Sequence, residues 1–490
     1  MEARCIADRI HGEVRLPRLV SQLSSTPEFY RLDDVRQLGG CFFIYPSATH
    51  TRREHSIGVC HLGGSVATQL MRHYPALVDD DDVLCVQIAG LVHDLGHGPF
   101  SHLFEEYVGN GWCHETTGVA MFRRMLRNHP NIVVGDHFRG APDAQIAFVE
   151  LLVTGLDPED PWPENVGRPE SKRFLCDLIH SRATGIDADK LDYLMRDALA
   201  VFGASNVLSV QRIIGAVRVH EGRIAFGANA AQEIHEMFRL RAKLHQQVYQ
   251  HRGVHVSNGM IMALMRAIDS TRPSGTKLAD LAVDERFAQL SDASILHHPL
   301  DDPGVREAHE ALFRRPCCTR IPCSVALHTR PLCAGCRQPT DISDRYCGAC
   351  GRATVDRPAL ADIDGALVTP ECALTATSVE QELHTRMPGV EFRVHIVDVG
   401  CGTPIRIEDP FGRTWRDLDP FHNIDFLSDA GGCIKIDADS FFAPKMRRVR
   451  TVYCHLPLHT SAEIVGEAAR VFRVWGATVG RVVEIEASAQ

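Results

Sequence analysis

The stretch Leu91-Val-His-Asp-Leu-Gly-His-Gly-Pro-Phe-Ser-His102 concentrates polar chemistry in an otherwise apolar part of the chain. Its last ten residues hold three histidines and one aspartate. The adjacent pair His93-Asp94 can leave one helix turn and converge on a single ion. Imidazole nitrogen and carboxylate oxygen suit Fe, Mn, Co, Ni or Zn better than Ca or Mg. The stretch therefore predicts a metal centre and, with it, metal-assisted hydrolysis.

Length, charge and cysteine content restrict the class of protein. At 490 residues the chain exceeds one compact core, so we expect two or three domains. Its net charge of -10 repels nucleic acid and anionic lipid, so a phosphate-bearing ligand needs a local basic cluster. There is no bilayer-length apolar run and no signal-peptide pattern, and we expect no membrane partner. The 17 cysteines, an odd number, favour a reducing compartment, cytoplasmic or nuclear.

The period of the apolar residues changes along the chain. Up to about residue 290 it indicates helices, including one long helix over 230–269. From about residue 390 it alternates as in strands, with one further helix over 461–474. We therefore predict a mainly α protein, with a helical catalytic domain over 1–290 and an α+β lobe over 357–490.

Two segments outside the opening stretch can complete the metal centre. His55 lies on a predicted helix upstream, and Gly185-Ile-Asp-Ala-Asp-Lys190 offers Asp187 or Asp189 downstream. Spacing alone leaves these two aspartates as alternatives. A histidine, a His-Asp pair and a further aspartate, spread over three helices, resemble the HD phosphohydrolase superfamily.

Polar residues at helical spacing suggest what the metal centre binds. Asp189, Tyr193 and Asp197 share one helix face, and Arg241, His245 and Tyr249 share another. A solvent-exposed polar face would give either stripe by itself. Positive charge from Arg52, Lys190 and Arg241 beside a metal is best explained by a polyphosphate ligand.

Longer segments give a more specific resemblance. Asp8-Arg-Ile-His-Gly12, Gln37-Leu-Gly-Gly40, Trp112-Cys-His-Glu115 and Leu244-His-Gln-Gln-Val-Tyr-Gln-His251 are similar to the SAM- and HD-domain-containing deoxynucleoside triphosphate triphosphohydrolases. The similarity is strong over residues 8–290 and weak over 390–475. Because the chain starts at the HD domain, we expect no SAM domain. The family assembles as oligomers, so the resemblance implies a homo-oligomer, a dimer or a tetramer.

The resemblance implies a role for each matching residue. The metal ligands would be His55, His93, Asp94 and Asp189, with one divalent transition metal bound and Mg able to accompany the triphosphate. The triphosphate would be held by Arg52, Lys190, Tyr193 and Arg241. The sugar would be surrounded by Gln37, Leu38, Asp197 and Tyr249, and the base approached by His245 and Gln250. Proton transfer and α-phosphate contact would fall to His97, His102 and His114, with Glu115 beside them and His114 as the acid for the 5′-oxygen.

The regulatory positions depart from the family. Relatives are activated by guanine nucleotide and deoxynucleotide bound between subunits. At the guanine-reading positions this chain has Ser25, Tyr30 and Asp33, and at a second regulatory site it has Gly227, Asn229 and Glu233. Asp33 reverses the charge that faces a nucleotide. We hypothesise that guanine-nucleotide activation is lost or rebuilt.

A cysteine-rich insert over 315–356 carries paired Cys-x-x-Cys motifs. Ten residues separate the first pair from the second, a spacing typical of a zinc ribbon with four thiolate ligands. The ligands would be Cys333, Cys336, Cys347 and Cys350. Such a site has no open coordination position, so we interpret it as a structural staple or docking surface. Contact with single-stranded nucleic acid is an alternative that Tyr346 and a few arginines support only weakly.

The leading hypothesis is therefore hydrolysis of deoxynucleoside triphosphates to deoxynucleoside and inorganic triphosphate, which would control dNTP pools. One alternative is an HD-type nucleotidase that releases phosphate from monophosphates. The other is a nucleic-acid-binding regulator that retains an HD shell.

Overall fold

The chain forms two compact units. The first comprises Met1–Tyr249, Ser257–Leu312 and Pro420–Lys445, and the second comprises the remaining segments. A computed structural model describes residues 4–109, 111–203, 208–282, 284–314, 318–327, 360–361, 367–368, 376–390, 392–399, 405–408, 414–417, 424–428, 433–434, 449–457 and 460–484. Within this part of the chain, no helix is long and apolar enough to cross a membrane. The zinc-ribbon cysteines predicted between 333 and 350 lie outside the described residues.

Helices make up most of the first 314 residues, as the sequence predicts. In chain order they are α1 (Arg18–Leu23), α2 (Pro27–Tyr30), α3 (Arg52–His73), α4 (Asp80–Val92), α5 (His102–Val108), α6 (His114–Asn128), α7 (Pro142–Thr154), α8 (Ala188–Phe202), α9 (Val210–Ala216), α10 (Ala231–Leu244), α11 (Arg252–Thr271), α12 (Leu278–Leu281), α13 (Asp292–Leu296) and α14 (Pro303–Arg314). The mainly helical fold is confirmed.

The core of the first unit forms around α3, which packs against α4 and α8. Close approach of α3 and α4 depends on Gly90, because a β-carbon there would lie 2.9 Å from the backbone of Cys60. Apolar side chains such as Val59 and Leu91 fill the contact with no exposed surface. This packing fixes the end of α4, where the histidine-rich stretch begins.

The segment over 230–269 is helical, as predicted, but it is not one continuous helix. The structure has α10, then a π-helical turn over His245–Tyr249, and then α11 from Arg252. The wider π turn changes the direction of the side chains that follow it, and such turns occur frequently at functional sites. Apolar periodicity continues across the turn, which is why the pattern conceals the break.

Two short hairpins in the first unit were not predicted. The strands β1 (Arg4–Asp8) and β2 (Gly12–Leu16) pair antiparallel, and so do β3 (Val217–His220) and β4 (Arg223–Gly227). Strands of four or five residues carry too little alternation to distinguish them from helix ends.

Strands dominate the later part of the chain. The elements are β5 (Cys318–Leu327), β6 (Leu360–Ala361), β7 (Leu367–Val368), α15 (Ala376–Arg386), β8 (Arg393–Val399), β9 (Ile405–Glu408), β10 (Thr414–Asp417), β11 (Phe426–Leu427), β12 (Cys433–Ile434), β13 (Val449–Pro457), α16 (Ala462–Val479) and β14 (Gly480–Glu484). In the second unit one sheet has the order β14-β5-β13-β8, and its core includes Phe472 and Trp475. In the first unit β11 pairs in parallel with β4 and continues its sheet.

Candidate metal centre and adjoining histidine cluster

The four side chains predicted as metal ligands meet at one place. His55 comes from the first turn of α3, His93 and Asp94 follow α4, and Asp189 lies in the first turn of α8. The Nε2 atom of His55 is 3.0 Å from Asp189 Oδ1 and 3.6 Å from Asp94 Oδ2. His93 Nε2 lies 3.4 Å from Asp94 Oδ1. His55, His93 and Asp94 therefore form a group that could hold a metal ion, and Asp189 adjoins this group through His55.

The outer hydrogen bonds aim both imidazoles at this place. His55 donates from Nδ1 to Asp192 Oδ2 at 2.7 Å, and His93 donates from Nδ1 to the Gly90 carbonyl at 2.8 Å. Both Nε2 atoms are buried without a hydrogen-bond partner among the described residues. Histidines that bind metal are held in this way, with the second nitrogen carrying the proton. The donor set fits a divalent transition metal.

The two carboxylates stay ionised despite their burial. Burial by itself would raise the pKa of Asp94, but the Arg52 guanidinium, 2.8 Å away, and the nearby histidines hold that pKa well below its usual range. Burial opposes ionisation of Asp189 in the same way, and the adjacent imidazoles of His55 and His93 lower its pKa. Ionised carboxylates are what a cation requires.

The structure separates Asp187 from Asp189, which spacing left as alternatives. Asp187 begins α8 as its N-cap and accepts from the Lys190 backbone N–H at 2.8 Å. It also accepts from the Lys190 ammonium at 2.8 Å and from the Ser181 N–H. These contacts occupy Asp187, and Asp189 is the aspartate that faces His55.

A second cluster of three histidines adjoins the first. His97 and His114 stack with ring centroids 4.0 Å apart, and His102 meets His97 edge-on at 4.9 Å. Glu105, which the sequence analysis missed, accepts from Nδ1 of His102 at 3.3 Å and from Nδ1 of His114 at 3.1 Å. Glu105 lies one helical turn after His102, and this i, i+3 spacing is the only signal that pointed to it.

The stacked histidines have different proton affinities. Burial lowers the pKa of His114, but the hydrogen bond to Glu105 and the charges of Glu115, Asp94 and Glu105 outweigh it and raise the pKa. Burial and the charges of Arg52 and His114 hold the pKa of His97 well below its usual range. The pKa values of the two stacked imidazoles are thus shifted in opposite directions, a separation typical of acid–base sites.

A strained turn carries His102 into this cluster. Phe100 and Ser101 have φ angles of 61° and 60°, which residues with a side chain rarely adopt. The Phe100 N–H donates to Asp292 at 2.6 Å, and the Ser101 hydroxyl accepts from Arg52 Nε at 2.9 Å. Strain of this kind persists where the surrounding contacts enforce it and is concentrated at functional sites.

The predicted triphosphate residues lie on α8 and α10 and at the start of α3. Burial raises the pKa of the half-buried Tyr193, and the charges of Arg241 and Lys190 oppose that shift. Arg52 is engaged at both ends of its guanidinium, with Asp94 and with Ser101. Its charge therefore also supports a predicted metal ligand.

Two of the residues predicted to surround the sugar, Gln37 and Asp197, differ in their hydrogen bonding. The Gln37 side-chain oxygen is buried with no hydrogen-bond partner in the described segments. Asp197 lies 2.7 Å from Nε2 of His50 and accepts from the Tyr249 hydroxyl at 2.5 Å. His50 was not predicted, since one histidine in a loop carries no distinctive spacing.

The remaining predicted site residues are Leu38, His245, Glu115 and Gln250. Leu38 follows Gln37 and is half-buried. The ring of His245 meets that of Tyr249 edge-on at 4.8 Å, and burial together with the charge of Arg241 lowers the pKa of His245 to about 4. Glu115 Oε2 is 3.6 Å from His114 Nδ1. Gln250 belongs to the second compact unit.

Comparison with known proteins identifies the helical core. Residues 52–156 match the family described as "HD domain". Over this range the chain is similar to HD domains. The match covers α3 and α4, and hence His55, His93 and Asp94, together with the histidine cluster.

The chain is also similar to named proteins over longer stretches. The human protein named "Deoxynucleoside triphosphate triphosphohydrolase SAMHD1" is 36% identical over 332 residues, which is 63% of this chain and 53% of the human protein. The zebrafish protein of the same name is 37% identical over 270 residues, 52% of this chain and 43% of its own. A Dictyostelium homolog is 32% identical over 298 residues, 59% and 54% of the two chains. The chain thus spans about half the length of these relatives, and the resemblance stated from its motifs is confirmed.

Proposed function

We propose that the protein hydrolyses deoxynucleoside triphosphates to deoxynucleoside and inorganic triphosphate. The observation that carries this proposal is the pairing of two clusters on one HD domain, the His/Asp group around His55 and the three-histidine group around His97. The first can hold a cation against a phosphate, and the second can supply a proton to a leaving group. The names of the relatives point to the same reaction.

His55, His93, Asp94 and Asp189 would hold one divalent metal in this proposal. The metal would polarise the α-phosphate and lower the pKa of the attacking water. The protein's part is to present two imidazole nitrogens and two ionised carboxylates. Arg52 keeps Asp94 ionised through its 2.8 Å contact.

The 5′-oxygen of the sugar is a poor leaving group, so it must gain a proton as its bond to phosphorus breaks. We assign this proton to His114, whose raised pKa keeps it on the ring. Glu105 holds the Nδ1–H at 3.1 Å, which leaves Nε2 as the donor. The neutral His97 and the exposed His102 would contact the α-phosphate, and Glu115 would support His114.

The substrate residues keep the roles that the resemblance implies. Lys190, Tyr193, Arg241 and the charge of Arg52 would hold the triphosphate. Asp197, with Tyr249 bonded to it, would face the sugar together with Leu38 and the unpartnered oxygen of Gln37. Tyr249 and Leu38 would exclude a 2′-hydroxyl, and His245 and Gln250 would lie near the base.

Product analysis tests the proposal. The protein is incubated with each of the four deoxynucleoside triphosphates and Mn²⁺ or Mg²⁺, and the products are separated by ion-exchange chromatography. We expect inorganic triphosphate and deoxynucleoside, and slower release from ribonucleotides. Orthophosphate from monophosphates would indicate the nucleotidase instead. A metal-loaded protein that retards single-stranded RNA and leaves every deoxynucleotide intact would indicate the regulator.

We expect hydrolysis to proceed without added GTP. Arg53, a cation near the altered guanine-reading positions, pairs with Asp33 at 3.2 Å and lies 4.4 Å from the centre of the Tyr30 ring. At the second regulatory position Arg212 pairs with Glu233 at 3.0 Å. These acids neutralise cations that a nucleotide phosphate would need.

The GTP prediction is checked by initial rates with and without GTP, for the wild type and for Asp33→Arg. The substitution releases Arg53 and adds a second cation, so GTP should bind and stimulate the variant more than the wild type. Strict dependence of the wild type on GTP would contradict the prediction.

We also keep the predicted domain limits as a proposal: an HD-type domain over 1–290, a zinc ribbon over 315–356 and an α+β lobe over 357–490. The zinc ligands of the ribbon would be Cys333, Cys336, Cys347 and Cys350. The substitution Cys333→Ser should therefore lower the zinc content of the protein. We also propose that the protein forms a homo-oligomer, and that it works in a reducing compartment, cytoplasmic or nuclear. The free thiols of buried Cys60 and Cys85 accord with such a compartment.

A further inference from the structure

The N-terminal hairpin is connected to the candidate metal centre by an unbroken series of buried polar contacts. His11, in the turn between β1 and β2, lies 2.7 Å from Asp192 Oδ1 through its Nε2 atom. The other oxygen of Asp192 accepts from His55 Nδ1 at 2.7 Å. We propose that the hairpin is part of the metal centre, with Asp192 and His11 as positioning residues for His55.

The Asp192 carboxylate is surrounded by hydrogen-bond donors. It has no exposed surface, and it accepts from Arg196 Nε and Nη2, each at 2.9 Å, as well as from the two histidines. A carboxylate on the outer nitrogen of a histidine orients the ring and strengthens its inner nitrogen as a metal ligand.

The hairpin turn supplies the other end of the series. Asp8 Oδ1 accepts from the N–H groups of Ile10 and His11 at 2.7 and 2.9 Å, which shapes the turn and fixes the position of His11. Asp8 Oδ2 accepts from Arg196 Nη2 at 3.0 Å. The turn closes at Gly12, whose φ of 72° favours glycine. The hairpin therefore holds both His11 and Arg196 against Asp192.

Helix α3 leaves space for this arrangement. A β-carbon at Gly58, one turn after His55, would overlap the Asp192 carboxylate and approach the Arg196 guanidinium. A protein in which apolar groups replace a buried ion pair is often at least as stable as the original protein. The stability of the fold therefore does not require the buried charges of Asp192 and Arg196. We infer that these charges serve to orient His55.

The test measures Mn²⁺ affinity without substrate, by competition with a chelating dye on the full-length protein. Mn²⁺ suits imidazole and carboxylate ligands and not thiolates, so the cysteine-rich segment does not compete. Asp192→Asn should weaken binding by about 10- to 100-fold, the usual effect of losing an outer-shell partner. His11→Gln should weaken it by a smaller factor, because it acts through Asp192.

His61→Gln is the matched control. The His61 ring lies 5.3 Å from that of His11, yet among the described residues it has no hydrogen bond to Asp192. Its Mn²⁺ affinity should equal that of the wild type. The thermal midpoint of each metal-free protein shows whether a variant is folded, and saturating Mn²⁺ should return the Asp192→Asn rate toward that of the wild type.

Two results would overturn the inference: folded Asp192→Asn that binds Mn²⁺ as tightly as the wild type, or a wild type that binds none. If Asp192→Asn does not fold, His11→Gln decides, and wild-type affinity in that variant overturns the inference. The inference rests on the metal centre of the proposed function, but the two can fail separately. A wild type that binds Mn²⁺ and cleaves no deoxynucleotide would refute the function and leave the inference standing.

Discussion

His93→Ala is expected to abolish hydrolysis of deoxynucleoside triphosphates. His93 provides one of two imidazole nitrogens at the candidate metal centre, and its Nε2 atom has no hydrogen-bond partner in the described part of the chain. Alanine removes this donor outright, so the loss should exceed the roughly 100-fold that removal of an outer-shell partner can cost. Inorganic triphosphate release gives the rate, and elemental analysis gives the bound metal, which should fall with it.

His73→Ala is the control for this variant. His73 is the exposed last residue of α3, and its ring contacts the Gln69 side chain at 2.9 Å. The substitution is the same in kind, and the rate and metal content should not change. Should His93→Ala keep the wild-type rate, the metal-centre assignment would be incorrect.

His114→Asn should slow hydrolysis by about 10² to 10⁴-fold, the range that general acid catalysis contributes. The amide retains a hydrogen-bonding group but has no proton to give to the 5′-oxygen. Because His114 acts in its protonated form, wild-type activity should fall as pH rises through the pKa of His114. Single-turnover rates across a pH series separate this step from product release.

Glu105→Gln tests the cause of that pKa. Burial lowers the pKa of His114, and Glu105 is the first of the groups that raise it. Without the carboxylate, the alkaline fall in activity should begin at a lower pH than in the wild type. Glu106→Gln changes the exposed neighbour on the same helix and should leave the pH profile in place. An unshifted profile in Glu105→Gln would remove His114 from the role of acid.

Much of the candidate site follows from local sequence. The pair His93-Asp94 at the end of an apolar helix and the upstream His55 are recognisable because polar ligands interrupt apolar periodicity. The same reasoning extends to Asp189, although spacing alone left Asp187 as an alternative metal ligand. It fails for His50 and Asp292, which are single residues with no repeating pattern, and for Glu105, whose one signal is its spacing from His102. Their partners lie up to 256 residues away along the chain, as for Asp292 and Arg36.

The sequence by itself determined the helical class, the histidine-rich turn and the set of ligand types, because periodicity and residue chemistry are local properties. Tertiary structure decided which aspartate faces His55, where the long helix breaks, and that the N-terminal hairpin lies behind the metal centre. These depend on desolvation and on contacts such as that between His11 and Asp192, 181 residues apart. Burial makes such contacts strong by excluding water, and no local pattern records which distant residues will be buried together.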